Sequence, residues 1–129
     1  MLYSKTEEYE NSLIAFNKAI EITPYNYDAY DKLGILFMDV KDYKQSEKAF
    51  LRALYYEENY VPALSHIGVL YGKMGNLTLA ANYLQKAIKI NPYHAESYYN
   101  LGMLLKSVGK DTDALKFLNK ARELDSSYN

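Results

Sequence analysis

One interval governs what this chain can fold into: the stretch Ala95–Gly102, A-E-S-Y-Y-N-L-G, returns upstream at a fixed spacing of 34 residues. Gly102 answers to Gly68 and Gly34, Leu101 to Ile67 and Leu33, and Tyr98 to Leu64 and Tyr30. A second set of columns follows each glycine: Ser46, Ala80 and Ala114, then Phe50, Leu84 and Leu118, then Ala53, Ala87 and Ala121. One copy of that second set stands earlier, at Ser12, Phe16 and Ala19, with Pro24 matching Pro92. A period of this length marks a repeated supersecondary unit that cannot bury its own apolar face and must stack on its neighbours.

Apolar spacing makes each unit a pair of helices. Tyr9, Leu13, Phe16 and Ile20 predict a helix from Thr6 to Ile22, with Ser4 and Glu7 as a capping box, ending before Pro24. Asn26 caps the next, in which Tyr30, Leu33, Gly34 and Phe37 share a face until Val40. Tyr43 to about Tyr56, Val61–Met74, Asn76–Ile90, Ala95–Val108 and Asp111–Leu124 complete seven helices. Pro62 is tolerable only in a first turn. Gly75 and Gly109 stand just past helix ends, where positive φ is expected, and Lys41 takes the same place in the second repeat. Short connections make neighbours antiparallel. The expectation is an all-α, right-handed α-solenoid without strands, in which Gly34, Gly68 and Gly102 face Ser46, Ala80 and Ala114 across a close helix crossing.

Composition excludes other classes. A net charge of −1 with 24% charged residues offers no basic stripe for nucleic acid. The longest apolar run, Leu33–Met38, has six residues, against the ~20 that span a bilayer, so no membrane insertion is expected. The N-terminus has neither the basic start nor the apolar core of a secretory signal. Zero cysteines excludes a disulfide framework and favours a reducing, cytoplasmic setting.

These columns resemble the tetratricopeptide repeat: an aromatic, Leu-Gly, an aromatic, then small-x-x-x-aromatic-x-x-Ala, then proline. The match covers Tyr27–Tyr60, Val61–His94 and Ala95–Tyr128 as whole repeats, preceded by the second helix of another within residues 1–26. It departs at Glu58 and Ser126, where proline is absent, and at Leu64 and Leu105, which replace aromatics. The resemblance implies a protein-interaction scaffold whose first helices line a concave groove holding an extended peptide or a partner's helix.

Carried over residue by residue, that groove presents Asp28, Asp31, Lys32, Ile35, Met38 and Asp39 from the second repeat. Pro62, Ser65, His66, Val69, Gly72 and Lys73 follow from the third, and Glu96, Tyr99, Asn100, Met103 and Lys106 from the fourth. Ile35, Val69 and Met103 stand one step past each glycine as an apolar strip, flanked by polar groups that suit selective peptide binding. The cationic clamp that holds a terminal carboxylate in chaperone-tail binders is missing, its places being Asp31, Ile35, His66, Glu96 and Asn100. Asn100 also resembles the asparagine ladder of repeats that guide peptides to a glycosyltransferase, but Lys32 and His66 break it.

Chemistry has little foothold. Ser65 and His66 are adjacent on a helix and do not face each other, and no third member of a triad is apparent. His66 and His94, the only histidines, have no metal-ligand spacing around them, which makes His66 a groove contact and His94 a helix-start residue. Glu7-Glu8 and Glu57-Glu58 are solvated carboxylates, and each glycine falls singly on the lattice rather than in a phosphate loop. No enzyme, cofactor or metal is expected. Tyr25, Tyr55, Tyr60 and Tyr99 lie outside the aromatic columns and are candidate contacts.

The two ends differ. The outer column Ile20, Leu54, Ile88 becomes Arg122 in the last copy, a charge fit to meet water. At the other end Leu13, Ile14, Phe16 and Ile20 form an apolar surface whose partner helix has no counterpart in Met1–Lys5. Either further repeats precede this segment or it forms a homo-oligomer through its N-terminal helix. The function read from the sequence is therefore a scaffold for a protein or peptide partner, the alternative being a self-assembly module stacking through its terminal helices.

Overall fold

The computed structural model describes residues 2–128, with side chains from Lys5 onward. Among the described residues there are seven α-helices and no strand: α1 (Leu2–Ile22), α2 (Tyr27–Asp39), α3 (Tyr43–Tyr56), α4 (Val61–Lys73), α5 (Leu77–Ile90), α6 (Ala95–Ser107) and α7 (Asp111–Leu124), followed by a 3-10 turn at Ser126–Tyr128. They divide into two compact units, Met1–Tyr60 and Val61–Asn129. In the first, α2 packs on α1 and α3; in the second, α4 packs on α5 and α6, and α6 on α7. No helix among the described residues is long and apolar enough to cross a membrane.

Helix boundaries follow local chemistry. Asn26, Asp42 and Asn76 accept from the backbone N–H of Ala29, Gln45 and Leu79, each satisfying a donor that the first turn leaves open. Where α2, α4 and α6 end, the chain passes through a left-handed residue: Lys41 at φ 63°, Gly75 at 84° and Gly109 at 81°. The next N–H then reaches back five residues, from Asp42 to Phe37, Asn76 to Tyr71 and Lys110 to Leu105. The start of α1 corrects the sequence reading. The helix begins at Leu2 rather than Thr6, because no proline or glycine interrupts the run; the side chain of Ser4, and with it the capping box, lies outside the described residues.

The two helices of a pair meet at the repeated glycine. Ser46 Oγ donates to the carbonyl of Gly34 at 2.7 Å, and a Cβ added at Gly34 would lie 2.5 Å from the Phe50 ring. A Cβ at Gly68 would lie 2.7 Å from Leu84 Cγ and 3.3 Å from the Ala80 carbonyl; one at Gly102 would lie 2.7 Å from Leu118 Cγ and 3.2 Å from the Ala114 carbonyl. The facing residues Ser46, Ala80 and Ala114 are buried, as are Ala53, Ala87 and Ala121 one column further on. Phe50 and Leu84 fill the space beside the crossing, each contributing about 1.5–3 kcal/mol by burial.

Gly68→Leu should cost about 1–3 kcal/mol or more, the penalty of overpacking; an unchanged urea midpoint would contradict the close contact. Lys41→Gly should gain about 0.5–1 kcal/mol, the left-handed strain relieved less the entropy that glycine adds to the unfolded chain. A lower melting temperature for that variant would show that Lys41 is not strained.

Candidate protein-interaction surface

In the Val61–Asn129 unit, α4 and α6 lie side by side and flank a cleft of about 490 Å³. Val69, Gly72 and Lys73 of α4 face Tyr99, Asn100, Met103 and Leu104 of α6, with Gly68 and Leu84 at the base. Two polar links tie the helices together. Asn100 Nδ2 donates to Ser65 Oγ at 3.0 Å, and His66 Nε2 lies 3.1 Å from Glu96 Oε1, to which it donates. The result is an apolar middle bounded by the Glu96 carboxylate toward the helix starts and by the exposed Lys73 ammonium toward the α4 end.

Tyr99 is half-buried, its ring 4.9 Å from that of Tyr128 in the 3-10 turn. Burial and then the neighbouring Glu96 push the Tyr128 phenol above its ordinary range. Met103 remains 42% exposed. Lys106 is exposed but does not line the cleft.

In the Met1–Tyr60 unit, Lys32 and Ile35 line a smaller cleft of about 230 Å³ with Phe16 and Ser12 of α1. Lys32 pairs with Asp28 at 3.5 Å, both exposed, so the pair adds little stability. Met38 is half-buried. Tyr60 donates to Asp28 at 2.8 Å and packs edge-on against Tyr27; burial, then that bond, raises its phenol pKa. It is therefore a structural residue rather than a free contact.

Some expected groove residues are not at the surface. Asp31 is only 2% exposed and Ser65 0%, because both fall on the helix face turned toward packing. Ser65 serves by orienting Asn100. On α1, Leu13, Phe16 and Ile20 are half-buried, Phe16 within the cleft against α2, while Ile14 is 64% exposed. His66, read as a groove contact, is paired with Glu96, a neighbour that the sequence did not single out for it. No group of three or more metal-ligating side chains occurs among the described residues.

Family models for the tetratricopeptide repeat match residues 59–127, and also 1–26 and 27–60. The chain belongs to the tetratricopeptide repeat family. Repeats of this family generally mediate protein–protein interactions and are typically non-catalytic scaffolds.

Among solved structures, a Thermobaculum terrenum O-GlcNAc transferase mutant is 31% identical with a TM-score of 0.74 over 79% of this chain, which spans 20% of that one. Pseudomonas aeruginosa pilF is 21% identical with a TM-score of 0.83, covering 96% of this chain and 57% of that chain. MamA RS-1, an ArsTM double mutant, is 19% identical with a TM-score of 0.75, covering 98% of this chain and 71% of that chain. The last two likenesses bear on the fold alone. No curated protein matches the sequence.

For a tetratricopeptide repeat the missed links were readable in principle. Residues 34 apart are neighbours on successive first helices, so a partner one turn earlier or one residue later than that step is within reach. His66 and Glu96 are 30 apart, Ser65 and Asn100 35.

The site should register in pH. Burial holds the His94 imidazole below its usual 6.5, opposed by the nearby Glu96 charge, and Ser97 Oγ lies 2.6 Å from Nδ1. The bond from His66, acting against burial, holds the Glu96 carboxyl below its usual 4.5. Both folded values are depressed, so the unfolded chain binds more protons and stability falls with pH, through His94 below the usual histidine value and through Glu96 below the usual carboxylate value. The urea midpoint should therefore drop between about pH 7.5 and about pH 5.5, and His94→Asn should lessen the drop. A midpoint that rose on acidification would contradict the arrangement.

Proposed function

We propose that this chain is a protein-interaction scaffold that seats an extended peptide or a partner's helix in the cleft between α4 and α6. The observation that supports this most is the combination of an apolar strip, Val69 with Met103 and Leu104, and an asparagine whose amide is fixed by a buried serine. The cleft volume of about 490 Å³ suits a few apolar side chains, and fixed polar groups at its edge supply direction and register. Asn100 is placed to bond a peptide backbone, while Glu96 and Lys73 favour a donor at one end of the ligand and a carboxylate at the other. In this reading α2–α3, α4–α5 and α6–α7 are the repeats and α1 is the second helix of a preceding one.

A second reading, self-association through α1, is favoured by one observation: Ile14 and Ile22 are 64% and 74% exposed. Sedimentation of the wild type beside Ile14→Lys, Ile22→Lys separates the two, since a dimer lost in that variant would place an interface there.

The test of the main reading is selection of peptides from a displayed random library on the wild type, followed by affinity measurement on Val69→Glu, Met103→Glu. Losing two desolvated apolar contacts should weaken the selected peptides about ten-fold or more, while helical dichroism stays native. Undiminished binding by the folded variant would put the site elsewhere.

A further inference from the structure

A cavity of about 480 Å³ lies on the α2–α3 hairpin, lined by Tyr30, Phe37, Ala49, Lys48, Arg52 and Tyr55 among others. It shares no residue with the α4–α6 cleft. Its origin is visible on the repeat lattice. Ala49 corresponds, 34 and 68 residues on, to Tyr83 and Phe117. In the later hairpins those two positions carry rings that stack within the pair. Tyr83 lies on Tyr71 at 5.6 Å and 26° between planes, and Phe117 lies on Tyr98 at 6.4 Å and 26°. Stepping back along the lattice, Tyr71 becomes Phe37 and Tyr98 becomes Tyr30. Both stacking platforms are thus present together in α2: Tyr30 is stacked on Tyr56 at 5.9 Å, while beside Phe37 the ring of the later hairpins has been reduced to the methyl group of Ala49.

The rim repeats this pattern in charge. In α7, Lys120 is paired with Glu123 at 3.6 Å. The corresponding residues of α3 are Arg52 and Tyr55: the cation is kept and the carboxylate has become a ring, over which Arg52 lies at 5.9 Å. Lys48, one turn before Arg52, is also exposed, and neither makes an ion pair among the described residues. Tyr55 is 75% exposed, far more than a ring needs to be when its only task is to fill a core. The last hairpin has a cavity of about 340 Å³ at the equivalent place, lined by Tyr98, Phe117, Lys120 and Glu123 among others; on the α2–α3 hairpin the cavity is larger, the carboxylate is gone, and the ring on Tyr30 comes from Tyr56 instead, at 5.9 Å.

We propose that this cavity docks a partner protein through a Phe or Tyr side chain flanked by Asp or Glu. The ring enters against Phe37 above Ala49, beside the Tyr30–Tyr56 stack, in offset or edge contact of the kind aromatic pairs favour. The flanking carboxylates meet Lys48 and Arg52, and the guanidinium can take one of them in a bidentate pair. Because the rim is exposed, its charges contribute more to selecting an acidic partner and speeding encounter than to holding it, and that contribution weakens with salt.

The probe is the capped peptide acetyl-Asp-Asp-Phe-Asp-Asp-amide, titrated into the whole chain and followed by the alanine methyl resonances. The wild type should show saturable shifts at the Ala49 methyl with a dissociation constant of about 1 mM or tighter. Ala49→Phe, which restores the ring found in both later hairpins, should stay folded, melt no lower and abolish the shifts at neighbouring methyls. Lys48→Glu, Arg52→Glu, confined to the surface, should fold normally and weaken binding about ten-fold. A peptide with Ala for Phe, and one with Lys for Asp, should not bind. No shift at Ala49 at millimolar peptide, equal binding by either folded variant, or equal binding of the Lys-flanked peptide would overturn the proposal.

Discussion

The structure depends on one steric fact: at three points a helix comes so close to its partner that a β-carbon would not fit. At Gly34, Gly68 and Gly102 the space for that atom is already occupied by Phe50, Leu84 and Leu118. In an unpacked helix, glycine costs about 1 kcal/mol relative to alanine. Keeping it three times at the same place means that the close approach contributes more than propensity loses. The small facing residues Ser46, Ala80 and Ala114 follow from the same requirement, and the hydrogen bond from Ser46 to the Gly34 carbonyl forms only because the two backbones are that near.

That crossing also orients the surface. With the glycine locked against the second helix, the residue one step further along the first helix turns away from the contact, which is how Val69 and Met103 come to line the cleft. The side chains beside the crossing decide what the hairpin shows elsewhere. Where Phe117 stacks on Tyr98 the hairpin keeps a cavity of about 340 Å³, and where Ala49 stands the equivalent cavity is about 480 Å³. Two kinds of concavity, a cleft between first helices and a cavity on one hairpin, thus arise on one lattice at positions that leave the glycine contact untouched.

Much of this was legible in the sequence, because the fold is set by a lattice of identical local decisions. The cap at Asn26, the left-handed Lys41 and the glycine crossings were read from residue type and place on the lattice, whereas Asp42, read as part of a turn, and Asn76, read as a first helical residue, prove to be caps as well. The site was harder to read, since it depends on which side of a helix a polar residue finally turns. Asp31 and Ser65 were read as groove groups and are buried, whereas His66 with Glu96 and Asn100 with Ser65 meet across helices at offsets slightly away from the repeat step. The Tyr128 contact with Tyr99 comes from a turn beyond the last helix that has no periodic signal. Hardest to see is a missing ring: Ala49 looks unremarkable in α3 until the rings at Tyr83 and Phe117 are placed in the same column.

The most direct test of the close crossing is a double-mutant cycle at Gly102 and Leu118 in urea, where the second residue is only half-buried, so that the chain should stay folded when it is truncated. Gly102→Ala should destabilise the wild type in spite of alanine's better helix propensity. In the Leu118→Ala background the same change should cost at least about 1 kcal/mol less, because the atoms it strikes are gone. If the two effects add to within about 0.5 kcal/mol, or if Gly102→Ala stabilises the wild type, the glycines are not held by steric exclusion and the central claim fails.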